Sequence, residues 1–208
     1  MQASLTPQQA LSNAEKLQAS GNLQAAERVL QSIIRSSPGF HPAWHALGML
    51  AYRVGKLDIA VKQIEQAILH GGDLAMYHRN AGEMYRRLGQ IDKAIEHGLN
   101  ACKKDQKDLD ALYNLGLAYA DAADFANAIK TYRKALKLDS NHGLSWNNLG
   151  SELEKSGDKA AAENAYARAV SLNTDHAEAQ NNLGALYSEQ GKLDEARTCF
   201  SQAIASRP

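Results

Sequence analysis

The chain has no excess of either charge: 23 lysines and arginines stand against 23 aspartates and glutamates in 208 residues. A nucleic-acid binder normally carries a basic stripe that neutralises phosphates, so this balance argues against one. No stretch has the length and apolarity of a membrane span. The N-terminus also lacks the charged, apolar and cleavage regions of a secretory signal, and a cytoplasmic protein is expected. No nucleophile elbow, phosphate loop or zinc motif occurs. Seven histidines are present, but no cysteine or carboxylate joins them at ligand spacing; His142 and His176 merely share one position of a turn. No catalytic residue, metal or cofactor is expected, and the chain itself is read as no enzyme.

What the sequence does contain is a period. Alanine stands at 26, 60, 94, 128, 162 and 196, each thirty-four residues from the last. Gly48, Gly82, Gly116, Gly150 and Gly184 keep the same interval, with Ala14 in the first position. Counting Pro7 as slot one divides the chain into windows 7–40, 41–74, 75–108, 109–142, 143–176 and 177–208 without insertions, a single array over 1–208. Slots 4, 7, 8 and 11, as in Leu112, Leu115, Gly116 and Tyr119, fall on one face at about 100° per residue, so each window opens with an amphipathic helix. Slots 20, 24, 27 and 28, as in Ala128, Tyr132, Ala135 and Leu136, define a second helix. Gly21, Gly55, Gly89, Gly157 and Gly191 supply the tight turn between them. Thr6, Pro7 and Gln9 read as the N-cap, first position and capping box of the first helix. A period of this size signifies a solenoid, in which each hairpin buries its apolar face on the next. Cys102 and Cys199 sit three windows apart, beyond disulfide reach, and are read as small core or near-core residues.

These slots resemble the tetratricopeptide repeat, whose pattern is W-x2-L-G-x2-Y followed by A-x3-F, A and P. Trp44, Leu47, Gly48 and Ala51 in the second window and Trp146, Leu149, Gly150 and Leu153 in the fifth carry the first half. The likeness covers about residues 7–208. It implies an all-α, right-handed superhelical solenoid of six hairpins that binds an extended peptide from a protein partner in its concave groove.

Slots 2, 6, 9 and 13, with slot 5 beside them, lie opposite the core stripe and should line that groove. They read His45, Met49 and Arg53, then Arg79, Asn80, Glu83 and Arg87, then Tyr113 and Asn114, then Asn147, Asn148 and Lys155, and finally Asn181 and Asn182. Slot 6 is asparagine in four successive windows: Asn80, Asn114, Asn148 and Asn182. A carboxamide has donors and an acceptor, so a ladder of them can hold a peptide main chain while replacement hardly touches the fold. The ladder is similar to that of the repeat domain of O-linked N-acetylglucosamine transferases. A second implied role is therefore the substrate-presenting arm of a larger transferase. The carboxylate clamp of chaperone-binding relatives needs Lys, Asn, Asn, Lys and Arg at set slots of three consecutive windows. Arg79 and Glu83 break that set.

Two places depart from the pattern. Window three has His78 at slot 4 and Gly98 at slot 24, where bulk is usual, and is expected to be the softest layer. At the other end, Phe200 and Ile204 precede Pro208 with no following helix. That arrangement suggests a fragment of a longer protein or self-association through the uncapped last helix. A faint polarity, 13 basic against 10 acidic residues in 1–108 and 10 against 13 in 109–208, fits a third role as a self-associating scaffold.

Overall fold

A computed structural model describes residues 5–172 and 177–206. His176 and Pro208 lie outside the described residues. Every regular element among those described is an α-helix, and there are twelve: α1 (Pro7–Ala19), α2 (Leu23–Ser36), α3 (His41–Arg53), α4 (Leu57–Leu69), α5 (Ala75–Arg87), α6 (Ile91–Lys104), α7 (Leu109–Asp121), α8 (Phe125–Leu138), α9 (Gly143–Lys155), α10 (Lys159–Leu172), α11 (Ala177–Glu189) and α12 (Leu193–Ala205). They pair as six antiparallel hairpins, one per window. The hairpins belong to two compact units, Met1–Gln106 and Lys107–Pro208. Within each unit the second helix of one hairpin packs on the first helix of the next: α2 on α3 and α4 on α5, then α8 on α9 and α10 on α11.

Local chemistry sets the helix ends. Thr6 accepts from the Gln9 amide while the Gln9 side chain accepts from the Thr6 amide, and Pro7 occupies the first turn. Asn22, Asp108 and Asp124 cap α2, α7 and α8 by accepting from the backbone amide three residues on, without the reciprocal bond. The interhelical turn requires a left-handed residue. Glycine provides it in five hairpins, with φ between 72° and 91°, whereas Ala123 adopts φ 55° in the hairpin that lacks glycine.

Slot 8 explains the close hairpin. A Cβ on Gly116 would lie 2.4 Å from Tyr132 Cε1, and one on Gly150 would lie 2.6 Å from Tyr166 Cδ1. The slot-24 side chain therefore lies flat on the slot-8 glycine of its own hairpin, and Tyr132 and Tyr166 are almost wholly buried there. In the second hairpin Ile64 does the same over Gly48. Tyr132 and Tyr166 join Leu149, Leu153 and Leu183, leucines of slots 7 and 11, in the core of the second unit. A corresponding core in the first unit gathers Leu11, Ala14, Ala26, Leu30, Ile33, Ala43 and Leu50.

The third hairpin is built differently, as its sequence foreshadows. A Cβ on Gly82 would meet only backbone and the His97 Cβ, at 3.3 Å from Ala94 O and 3.4 Å from Gly98 N. Instead of a ring at slot 24, the layer holds a polar chain. Buried His78 bonds Asp73 Oδ1 through Nε2 at 2.8 Å, and its Nδ1 lies 3.1 Å from His97 Nδ1. Lys104 reaches the other Asp73 oxygen, and Glu65 takes the Tyr85 hydroxyl. Tyr77, Met84 and Tyr85 are buried around this network.

Neither cysteine forms a disulfide among the described residues; Cys199 is buried and Cys102 half-buried. Burial pushes the Cys199 thiol up, as befits an inert core residue.

Candidate peptide-binding surface

The groove slots of the first helices are partly open, and the structure shows how their side chains are held. Three ladder asparagines make the same bond. Asn80 Nδ2 donates to His45 Nε2 at 2.9 Å, Asn148 Nδ2 to the Tyr113 hydroxyl at 3.2 Å, and Asn182 Nδ2 to Asn147 Oδ1 at 3.0 Å. Each partner is the slot-5 residue thirty-five positions earlier, so slot 6 of one hairpin clasps slot 5 of the previous one. Asn80 Nδ2 also approaches Met49 Sδ at 3.4 Å. Asn114, at the same slot, is half-buried.

The clasp corrects one expectation. These carboxamides do not stand apart from the fold, because their donor half ties neighbouring hairpins together. Each carboxamide commits an N–H to the clasp and keeps its Oδ1 as an acceptor. On Asn148 Oδ1 the internal donor is Asn147 Nδ2, at the long limit of 3.5 Å.

Asn147 requires a further correction, since it is only 2% exposed and therefore no open groove contact. It donates to Glu178 Oε1 at 3.1 Å while accepting from Asn182, which makes it the node joining α9 to α11. Asn181 stays half-buried beside it.

In the first unit the surface is aromatic and imidazole-rich. His45 stacks on Tyr77, with ring centroids 4.4 Å apart, and His41 Nδ1 lies 3.0 Å from the Tyr77 hydroxyl. Burial, helped by the nearby charges of Arg79 and His41, lowers the His45 pKa to about 4. His45 is therefore neutral at pH 7. Its Nε2 accepts from Asn80, which places the ring proton on Nδ1. The arginines of the second and third hairpins are engaged to different degrees. Arg87 lies over the Tyr52 ring and donates to its hydroxyl at 2.6 Å, while that hydroxyl donates to Glu83. Arg53 is exposed at the end of α3, and Arg79 is half-buried.

Lys155, at the end of α9, pairs with Glu152 Oε1 at 2.7 Å. Glu152 is 3% exposed and its Oε2 has no partner, an unusual state for a carboxylate. It occupies slot 10, where the other hairpins from the second onward carry buried Leu50, Met84, Ala118 and Leu186. That departure was visible in the sequence, but only slots 4, 7, 8 and 11 define the core stripe read from the period. No group of three or more potential metal ligands occurs among the described residues. No helix among them is long and apolar enough to cross a membrane.

A surface of this kind, on stacked hairpins of thirty-four residues, defines a repeat scaffold, a class that is typically non-catalytic and serves protein interaction. Tetratricopeptide repeat family models match residues 147–208 and 109–142, and a TPR repeat model matches 82–122. The chain belongs to the tetratricopeptide repeat proteins.

The Hsp70-Hsp90 organising protein of Plasmodium falciparum is 33% identical over 97 residues, covering 43% of this chain and 17% of that protein. The chain thus spans a small part of that relative's length. Among solved structures, a tetratricopeptide repeat protein from Parabacteroides merdae superimposes with a TM-score of 0.83 at 18% identity, covering 97% of this chain and 80% of its own. PilF of Pseudomonas aeruginosa follows at 0.80 and 18%, covering 97% and 92%. YrrB, described as a TPR protein with an unusual peptide-binding site, gives 0.70 at 20% identity, covering 86% and 92%. At these identities the structures share the fold.

Proposed function

We propose that the chain binds an extended segment of a protein partner along the groove slots of its first helices. The carrying observation is the repeated clasp. It ties one N–H of each of Asn80, Asn148 and Asn182 to the first helix of the previous hairpin, which fixes the carboxamide and leaves Oδ1 as the atom that can accept from a ligand. A row of fixed acceptors suits the main-chain N–H groups of an extended ligand, which recognises backbone rather than sequence. Preorganised acceptors also cost less ordering on binding. Side-chain selectivity then comes from the neighbours: Met49, His45 and Arg53 in the second hairpin, Arg79, Glu83 and Arg87 in the third, Tyr113 and Asn114 in the fourth, and Asn181 in the sixth.

The missing carboxylate clamp argues against a chaperone C-terminal tail as ligand, despite the likeness to an Hsp70-Hsp90 organising protein. Cys102 and Cys199 as thiols outside any disulfide fit a reducing, cytoplasmic setting.

A capture experiment with the whole chain as bait, read by mass spectrometry, identifies the partner, and calorimetry on its peptide tests the site. Asn148→Ala with Asn182→Ala should weaken binding about tenfold or more. The same pair should also cost about 0.5–1.5 kcal/mol of stability for each lost clasp. Lowered stability with unchanged affinity would make the clasp purely structural and place the ligand elsewhere.

A further inference from the structure

A second periodic surface lies away from the ladder. At three junctions within the units, a crevice opens between the second helix of one hairpin and both helices of the next. Three such crevices use the same four slots. The first is walled by Gln31, Ala51, Ile59 and Gln63, the second by Glu65, Tyr85, Lys93 and His97, and the third by Arg133, Leu153, Ala161 and Ala165. The repeat dictates the crevice, and slots 25, 11, 19 and 23 dictate its chemistry.

The three differ sharply. In the second, Lys93 lies 4.9 Å from the Tyr85 ring centroid and Tyr85 bonds Glu65, so its polar groups satisfy one another. The first is of mixed character, with Glu27 and Lys56 both at its edge. The third, an open crevice between α8 and the α9–α10 hairpin, offers about 400 Å³ between leucine and tryptophan walls: Leu136, Trp146, Leu149 and Leu153. Small Ala161 and Ala165 keep it open, where the first crevice has Ile59 and Gln63. The indole N–H of Trp146 is already committed to Ser140 O at 2.9 Å, so the ring contributes only its apolar body. Two cations, Arg133 and Lys137, stand one turn apart on the rim, and no acidic residue lines the crevice. Among the described residues neither cation pairs with a carboxylate.

We propose that this third crevice is a second docking site, taking an aromatic side chain flanked by acidic residues from a protein partner. An apolar pocket wide enough for a ring supplies the anchor, and the unpaired Arg133 and Lys137 select the flanks. Opposite flanks would be repelled, and a fully apolar segment would leave both cations without partners. This site is independent of the asparagine clasp, so a partner can engage either surface or both.

The probe is a synthetic peptide, acetyl-Glu-Asp-Trp-Glu-Asp-amide, titrated into the whole chain and followed by two-dimensional NMR at low and moderate salt. Saturable shifts are expected at Leu153, Ala161 and Ala165, weakening as salt rises. A Lys-flanked version should bind about tenfold more weakly or worse, the size of one to two charge-assisted contacts. Arg133→Glu with Lys137→Glu should reverse that preference. These two residues are exposed, so the double variant keeps the fold. Ala161→Ile, a residue this slot already accepts at Ile59, should narrow the crevice and weaken the Trp peptide. Asn148→Ala with Asn182→Ala should leave this binding unchanged, which separates the crevice from the groove. Shifts centred on Asn148 and Asn182, binding indifferent to flank charge, or no saturable shift at Ala161 and Ala165 would each overturn the proposal.

Discussion

The two units use one repeat frame and fill it with opposite chemistry. In Lys107–Pro208 the slot-24 tyrosines, Tyr132 and Tyr166, lie on Gly116 and Gly150 and make an aromatic core. In Met1–Gln106 the third hairpin leaves slot 24 as Gly98 and closes the layer with Asp73, His78, His97 and Glu65. The groove side repeats the contrast. His45, stacked on Tyr77, receives the clasp in the first unit, whereas Tyr113 and Asn147 receive it in the second. The same backbone geometry thus tolerates a titrating interior or a neutral aromatic one, and conditions that charge histidine should tell them apart.

The largest effect should come from acid. His45 has its pKa lowered from 6.5 to about 4, and burial with the His78 neighbour also lowers that of His97. A histidine whose folded pKa is depressed contributes stability that is complete above about 6.5. That contribution drains away as pH falls toward 4, because the unfolded chain takes up the proton first. For His45 alone the loss approaches about 3 kcal/mol between pH 7 and pH 4. Denaturant melts of the whole chain across that range should show it, and His45→Gln, which keeps an acceptor for Asn80, should flatten the slope. An unchanged slope in the variant would mean that His45 titrates normally and its environment is open.

Packing should separate the units next. Gly150→Ala places a methyl 2.6 Å from a ring that is itself locked in the core, so it should destabilise by about 1–3 kcal/mol. Gly82→Ala meets its nearest atom at 3.3 Å, and the roughly 1 kcal/mol gain in helix propensity should offset the squeeze, leaving it near neutral. Equal losses in paired thermal melts would erase the contrast drawn between tyrosine-covered and uncovered glycine.

Glu152 sharpens the comparison from the other side, because it is a charge inside the unit that otherwise prefers apolar cores. Glu152→Leu restores the residue found at Leu50 and Leu186 and removes a carboxylate oxygen without a partner. Stability should rise by about 1–2 kcal/mol, since apolar replacement of a buried charge is often stabilising. A loss instead would show that its pair with Lys155 anchors α9.

The hairpin, its boundaries, its core slots and its family were legible because a period of thirty-four repeats every packing contact six times. Pairwise polar contacts were harder. Slots 5 and 6 could be placed on one face, but the orientation of Asn80 or Asn148 depends on which side chain the previous hairpin offers, and slot 5 runs His45, Arg79, Tyr113 and Asn147 through windows two to five. Asn147 illustrates the consequence: its slot is a surface slot, yet Glu178 and Asn182 close over it. Window three shows a related limit. A missing side chain at Gly98 reads as a void, but polar atoms from Asp73, His97 and Glu65, which follow no period, bridge the layer. The crevice slots 19, 23 and 25 carry no signal in the sequence for the same reason, since their residues share a place in space and no chemical type.

The smallest test concerns a turn. Ala123 occupies the left-handed position that glycine holds in five other hairpins, and the flanking bonds are the same: Ala123 N to Ala120 O and Asp124 N to Tyr119 O, against Gly157 N to Glu154 O and Asp158 N to Leu153 O. The backbone therefore accepts the φ of 55° in order to keep the hairpin, at a steric cost of about 1–2 kcal/mol for a residue with a Cβ. Glycine removes that cost but loses roughly 0.4–1 kcal/mol more entropy on folding, so Ala123→Gly should stabilise by only a few tenths to about 1 kcal/mol. The reciprocal change isolates the same term. A Cβ on Gly157 would touch nothing within 4 Å, so Gly157→Ala introduces strain without a clash and should destabilise by a similar amount. Melting temperatures of the two variants moving in opposite directions would locate the effect in backbone conformation. Movement in the same direction would show that the turn of α7–α8 differs from that of α9–α10 in something other than its left-handed residue.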